Sequence, residues 1–228
     1  MQEFILERPI LAVDVVVVHV RQAQLQVLLQ TRTEDPFRGA LALPGVAIRV
    51  DETLANAAKR ALREKVGWSA QRHALPYLEQ LATFDSLYRD PRGRTISVAY
   101  LGICAVRPEL AADCAWQPVV ELTAGALPFD HNFVVETALT RLQGKLRYTN
   151  IAAHFLPETF RIEELQEVYE AILRRQLNRA NFRMKLLKIG FIEHISILTE
   201  AVGKHGGRPP HLYRFVQPQF ERVERDFL

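Results

Sequence analysis

LPGVAIRVDETLANAAKRALREKVGW, residues 43–68, is the stretch on which the fold turns. Leu54, Ala57, Ala58, Ala61, Leu62 and Val66 recur at helical spacing, which predicts a helix over 53–66 with one buried face. Asp51 is the candidate N-cap and Gly67 the stop. Upstream, DPFRGALALPG (35–45) carries no periodicity and reads as a loop. Further out, residues 13–20 and 25–31 are rich in β-branched and apolar residues around the polar turn RQAQ (21–24), predicting two strands. Two more are expected at 77–84 and 95–106, joined by the charged turn DSLYRDPRGR (85–94), and an amphipathic helix at 133–142 ends near Gly144. The first half therefore alternates strands and helices.

Beyond it the pattern changes. LPETF (156–160) punctuates the chain before a helix over 163–175, whose Leu165, Val168, Tyr169, Ile172 and Leu173 form a buried stripe. After QLN (176–178) a second helix spans 179–189, with Phe182, Leu186 and Ile189 inward. A β-rich run (191–198), the glycine-rich GKHGGRPP (203–210) and a last strand (212–216) complete the order. Helix, turn, helix, then a hairpin with a basic tip is the order of a winged helix-turn-helix. The boundary falls near 145–153, giving domains 1–147 and 148–228.

Composition bounds the function. At 228 residues, 48% hydrophobic and 24% charged, the chain is of globular type, which excludes disordered and collagenous classes. Cys104 and Cys114 form no CxxC and no Cys/His cluster, as expected of a reducing cytoplasm. The apolar stretch 10–20 contains Asp14 and follows Glu3 and Glu7, which argues against a signal peptide or membrane span. The net charge of +3 is unevenly placed: residues 1–146 hold 16 Lys/Arg against 16 Asp/Glu, and residues 147–228 hold 13 against 10. From Arg174 to Arg214 nine cations face only Glu193 and Glu200, a local excess of +7 over the second helix and the wing. A basic face on a winged helix suits a polyanion.

Residues 43–68 resemble the Nudix box of nucleoside-diphosphate hydrolases: glycine, five residues, Glu, seven residues, Arg-Glu, an apolar residue, any residue, Glu-Glu, any residue, Gly. Glu52, Arg60, Leu62, Glu64 and Gly67 match it without insertion. Val46 replaces the leading glycine, Ala61 the glutamate after the arginine, and Lys65 the second of the paired glutamates. In that family the glutamates hold Mg²⁺, a hard cation served by carboxylate and water. Ala61 offers no ligand, and a lysine a few ångströms from a cation costs about 4 kcal/mol at intermediate dielectric. The reading is a box without metal and without catalysis, Glu52 and Glu64 remaining as residual carboxylates on the helix surface or at its cap. A phosphate-binding pocket need not go with the chemistry: Arg32, Arg38, Arg89, Arg92 and Arg94 sit on loops at expected strand ends, where guanidinium forks suit phosphate. YRDPRGRT (88–95) also resembles a segment of ADP-ribose-recognising Nudix proteins.

Taken whole, the chain is similar to the Nudix-related transcriptional regulators of NAD metabolism, the NrtR type. The resemblance runs through FDH (129–131), RLQGKLRY (141–148), FLP (155–157), LQEVYE (165–170), NFR (181–183), GRP (207–209) and LYRF (212–215). It implies an α/β Nudix sandwich, a mixed sheet between helices, followed by an α+β winged helix-turn-helix domain. It further implies a homodimeric repressor with ADP-ribose or a related nucleotide as effector, no required cofactor, and a double-stranded DNA operator among NAD metabolism genes. The residues favour DNA on their own account. Arg179 starts the second helix; Asn181, Met184 and Lys188 lie opposite its apolar stripe, with Arg183 and Lys185 on the flanks. Arginine and asparagine suit base edges, whereas Lys185 and Lys188 suit phosphates. Lys204, His205 and Arg208 occupy the wing tip. Two alternatives stay open: an active Nudix-type hydrolase using Glu52, Glu64 and Asp85, and a regulator of this architecture responding to a sugar.

Overall fold

A computed structural model describes residues 8–69, 75, 77–195 and 211–217. β1 (Ile10–Arg21) is buried without interruption from Val13 to His19, as a central strand must be. It lies parallel to β6 (Thr95–Ile103), with Val13 opposite Val98, and beside β2 (Gln24–Thr31), which it reaches through Gln22 and Ala23, both at positive φ. Positive φ at two successive residues gives a hairpin turn whose twist matches its strands. β3 (Leu41–Ala42) pairs with β2 and β5 (Tyr77–Phe84) with β6, giving the order β3-β2-β1-β6-β5. β4 (Gly45–Ala47) adds to β1 and β7 (Cys114–Pro118) to β2, completing a mixed seven-stranded sheet.

α1 (Leu54–Val66) covers this sheet with the predicted stripe. Ala57, Ala58, Ala61, Leu62 and Val66 join Val13, Val15, Val17, Leu28 and Val98 in one buried cluster. The N-cap is Thr53 rather than Asp51: its side chain accepts from the Asn56 N–H, and the cap therefore lies two residues further along the chain. Gly67 ends α1 in the left-handed conformation at φ 71°, donating to the Leu62 carbonyl.

Other departures have local causes. The loop 35–45 contains β3 and the start of β4, both too short for a sequence period to reveal. β6 stops at Ile103, three residues early. β7 carries no alternation and was not anticipated. α2 (His131–Tyr148) begins two residues before the expected helix and runs through Gly144, because Leu142 and Leu146 on either side are fully buried. Their burial outweighs the roughly 1 kcal/mol that a helical glycine costs.

The described residues fall into two compact units: residues up to Val18 with Gln26–Ala138, and His19–Leu25 with Leu139 onward. In the second, a 3-10 turn (Ile151–Phe155) precedes β8 (Phe160–Arg161), α3 (Ile162–Leu173), α4 (Arg179–Lys188), β9 (Ile192–Ile195) and β10 (Leu212–Phe215). The three strands form an antiparallel sheet in the order β8-β10-β9. The two helices and the β9–β10 pairing follow the order expected from the sequence, whereas β8, two residues long, was not expected. Tyr169 and Phe182 meet edge to face at 5.0 Å, and Phe215 packs on Phe160 and Phe191. The turn between the helices is tied from α3: Gln166 donates to the Leu177 carbonyl, and Glu170 accepts from the Leu177 N–H at 2.7 Å. Ile189 is not inward but 37% exposed. The helix has ended by then, and Gly190, at φ 68°, swings Phe191 into the core position instead. Among the described residues no helix is long and apolar enough to cross a membrane.

Candidate functional site

In the first unit a polar cavity of about 620 Å³ opens among β1, β4, α1 and the loops before β6 and α2. Its wall is organised by a buried charge network. Asp14, inside the apolar run of β1, accepts from Ser97 Oγ at 2.6 Å and from Arg89 at 3.2 Å. Arg89 also forks onto both Asp130 oxygens, at 2.9 and 2.7 Å. Burial alone would lower the Arg89 pKa, but the hydrogen bonds and charges of Asp130 and Asp14 raise it. His131 Nδ1 accepts from the Leu43 N–H at 3.1 Å, so its proton sits on Nε2, 3.7 Å from Asp14. Beside this network Phe129, at φ 60°, presents its ring to Arg32 (4.9 Å) and Arg92 (5.7 Å), with Phe37, at φ 67°, edge-on at 5.0 Å. Arg92 is itself held by Asp90, at 3.0 and 2.7 Å.

The α1 side of the cavity is a second ionic cluster. Buried Arg60 donates to Glu52 Oε2 (3.0 Å), Glu52 Oε1 (2.5 Å), Glu64 Oε2 (3.1 Å) and the Ala47 carbonyl (2.7 Å). The remaining Glu64 oxygen faces Arg49 at 3.5 Å and Arg63 at 3.6 Å. The Arg60 hydrogen bond, followed by the Arg49 N–H, pulls the Glu52 pKa down to about 2. Every carboxylate oxygen of the two glutamates is therefore engaged by a guanidinium. Ala61 is buried and has no donor atom, and Lys65 stands on the cavity wall. This donor set does not fit Mg²⁺, which takes one or two carboxylates not already neutralised, together with water and phosphate oxygens.

In the second unit, α4 presents a different chemistry. Phe182 and Leu186 are buried, and Arg179, Asn181, Arg183, Lys185 and Lys188 are exposed on a helix without an acidic residue. Asn178 caps it, accepting from the Asn181 N–H at 3.0 Å. Arg179 pairs with Glu163 of α3, and Arg183 reaches the Tyr213 hydroxyl at 3.4 Å. Among the described residues no carboxylate pairs with Lys185 or Lys188.

The NUDIX domain family matches residues 10–136, and the NrtR DNA-binding winged helix domain matches residues 152–215. The ADPR responsive transcriptional repressor NtrR of Acinetobacter baylyi is 33% identical over 220 residues, 93% of this chain and 84% of the relative. This chain belongs to the NrtR-type Nudix regulators. The crystal structure of Shewanella oneidensis NrtR complexed with a 27mer DNA is similar to this NrtR-type chain at 30% identity and a TM-score of 0.74, covering 95% of this chain and 98% of that one. The NUDIX domain of the same Shewanella protein, complexed with ADP ribose, is 33% identical with a TM-score of 0.51, covering 60% and 90%.

Within this NrtR-type chain, the five arginines expected at a ligand divide. Arg32, Arg89 and Arg92 line the cavity; Arg38 and Arg94 do not. Arg38 forms an exposed pair with Asp35, and Arg94 donates to the Asp85 and Ser86 carbonyls. Asp85, weighed as a relocated metal ligand, is not in the cavity wall. Glu52 and Glu64 are partners of Arg60 rather than bystanders on the helix. The structure places Arg179, Asn181, Arg183, Lys185 and Lys188 together on α4, while Lys204, His205 and Arg208 lie outside the described residues. Sequence reasoning gave no role to Asp14, Phe129, Asp130 or His131. A charge inside an apolar strand needs a partner, so Asp14 itself was the available signal.

His131 makes this NrtR-type fold sensitive to acid. Burial lowers its pKa from the ordinary 6.5 against the pull of Asp14 and Asp130, and burial also lowers that of His154. The unfolded chain therefore binds more protons below pH 6.5, so the stability that neutral imidazoles contribute is complete above that pH and is lost as pH falls. Each histidine contributes a slope of about 1.4 kcal/mol per pH unit between its two pKa values. Chemical denaturation from pH 7.5 down to pH 5 is expected to show His131→Gln with the shallower profile; parallel profiles would refute the assignment.

Proposed function

We propose that this chain is a repressor that binds operator DNA as a homodimer and senses ADP-ribose or a closely related nucleotide. Residues 1–147 are the sensing part and residues 148–228 the DNA-reading part, acting in the cytoplasm on NAD metabolism genes. The observation that carries the reading is that one chain combines an acid-free basic helix in a winged helix-turn-helix with a Nudix cavity in which the remaining carboxylates of the box, Glu52 and Glu64, are held by Arg60. Relatives with this architecture include a repressor described as ADPR responsive and a protein crystallised with DNA and with ADP ribose. Arg32, Arg89 and Arg92 line the site for the nucleotide, and α4 supplies Arg179, Asn181, Arg183, Lys185 and Lys188 to the groove and backbone. The cavity performs no hydrolysis and requires no cofactor.

A mobility-shift assay with promoter DNA from the neighbouring genes, repeated with ADP-ribose, NAD and nucleotide controls, tests the reading. Sequence-specific, salt-sensitive binding that ADP-ribose alters is expected. Binding without sequence preference would sink the operator role, and binding indifferent to every nucleotide would sink the sensing role. Incubation with ADP-ribose and Mg²⁺ should leave the nucleotide intact; turnover abolished by Glu64→Gln would restore the hydrolase reading.

A further inference from the structure

The cavity wall carries Arg32, Arg60, Lys65, Arg89 and Arg92, but most of that charge is already neutralised. Arg60 is held by Glu52 and Glu64, Arg89 by Asp14 and Asp130, and Arg92 by Asp90. Arg32 differs. Its fork is fixed by carbonyls, Nε to Pro36 at 2.8 Å and a terminal nitrogen to Glu34 at 3.2 Å, so its charge is oriented but not paired with a carboxylate. Burial, and then the like charge of Arg92, lower its pKa against the pull of Asp90, Glu34 and Asp14. Such an environment is improved by an incoming anion. Lys65 differs too. It is half-buried on the last turn of α1, and among the described residues no carboxylate pairs with it. Asp113, on the same wall, accepts instead from the Cys114 thiol at 3.7 Å.

Arg32 thus keeps a terminal guanidinium face without a carboxylate hydrogen bond, although Asp90, Glu34 and Asp14 act on its charge, and Lys65 has no carboxylate partner among the described residues; two such donors in one polar cavity suit the non-bridging oxygens of a diphosphate diester. Lys65 also stands where the Nudix pattern has a glutamate for the metal, while the carboxylates that remain are closed off by Arg60. We propose that the Lys65 ammonium, together with Arg32, supplies the positive charge that a divalent ion supplies to the diphosphate in Nudix hydrolases, so that effector binding is independent of metal. Lys65 is thus a binding residue, contacting a non-bridging phosphate oxygen. A metal at this place would compete with the ligand's own cationic partner.

This inference rests on the effector reading above, and calorimetry with the full chain separates the two. ADP-ribose, with inorganic pyrophosphate as a competing probe, is titrated in EDTA and in millimolar Mg²⁺. The wild type is expected to bind with the same affinity within about twofold in both buffers. Loss of one charge-assisted contact in Lys65→Met should weaken binding by about tenfold or more in both. Lys65→Glu should be weaker still in EDTA and recover in Mg²⁺, because a carboxylate at this position can share an ion with the phosphates. Lys65→Arg should retain most of the affinity, and far-ultraviolet circular dichroism and melting of all three variants check their folding. A wild type that needs Mg²⁺, or a Lys65→Met variant that binds like the wild type, overturns the inference and leaves the effector reading standing. A wild type that binds ADP-ribose in neither buffer overturns both.

Discussion

Arg89→Met is expected to destabilise the protein by about 3–5 kcal/mol, the cost of stripping one partner from a buried ionic cluster. In a chain of this size that corresponds to a fall in melting temperature of roughly 6–20 °C. The Arg89 side chain is 4% exposed and is the common cation of Asp14 and Asp130. Without it, two enclosed carboxylates lose their shared cation, and among the described residues Asp14 keeps the Ser97 Oγ hydrogen bond, the more distant His131 ring and the charge of Arg32. Methionine fills most of the volume, so the loss reports electrostatics more than a cavity. Asp14→Asn removes one of the stranded charges, and the double variant Asp14→Asn/Arg89→Met should lose markedly less than the two single losses added together. Strict additivity, or a single variant that melts with the wild type, would show that the cluster does not hold the fold. The result also bears on Arg89 as a ligand contact: a guanidinium shared between two aspartates orients the wall more than it offers free charge.

The second large effect concerns α4. Joint replacement of Arg179, Lys185 and Lys188 by alanine removes three exposed cations from a helix with no acid of its own. Each phosphate contact contributes about 0.9 to the slope of log affinity against log salt, so the slope should flatten by up to roughly 2.7, with binding weakened for specific and non-specific duplexes alike. Asn181→Ala should behave differently. A side chain reading a base edge gives discrimination, so about 1–3 kcal/mol should disappear from the preferred sequence while the salt slope is retained. Arg179 begins paired with Glu163 and must exchange that partner for the backbone, which makes its share of the slope smaller than that of either lysine. Fluorescence anisotropy over a range of salt with operator and scrambled duplexes separates the two behaviours. An unchanged slope in the triple variant would remove α4 from the interface.

Local pattern carried much of the architecture. The alanine stripe of α1 was legible because small apolar residues at helical spacing can only be a packed face, and Gly67 because a left-handed stop favours glycine. The stripe of α3 was legible for the same reason. What escaped depended on distant partners. β7 is a strand because β2 offers it an edge, not through its own composition. α2 passes Gly144 because leucines beside the glycine are buried by other parts of the chain. Asp51 is by residue type the better capping residue, and only the backbone decides for Thr53. The box departures Ala61 and Lys65 could be read by alignment with the Nudix pattern, but not that Arg60 engages both surviving glutamates. Nor could spacing tell which arginines reach the cavity, since Arg38 and Arg94 sit on the same loops as Arg32 and Arg92 and turn elsewhere.

Phe37 and Phe129 are both held at positive φ, a conformation that costs a residue with a side chain about 1–2 kcal/mol. Glycine at either place would relax the backbone, but would take away a ring and the contacts it makes. The cost therefore falls on folding rather than on association. The nucleotide proposed for the cavity would meet aromatic and guanidinium groups that are already immobilised, so little rotamer entropy would be left to lose when it arrived. On the proposed function the strained loops are a form of preorganisation, in which stability is given up once, in the folded chain, for affinity at every encounter.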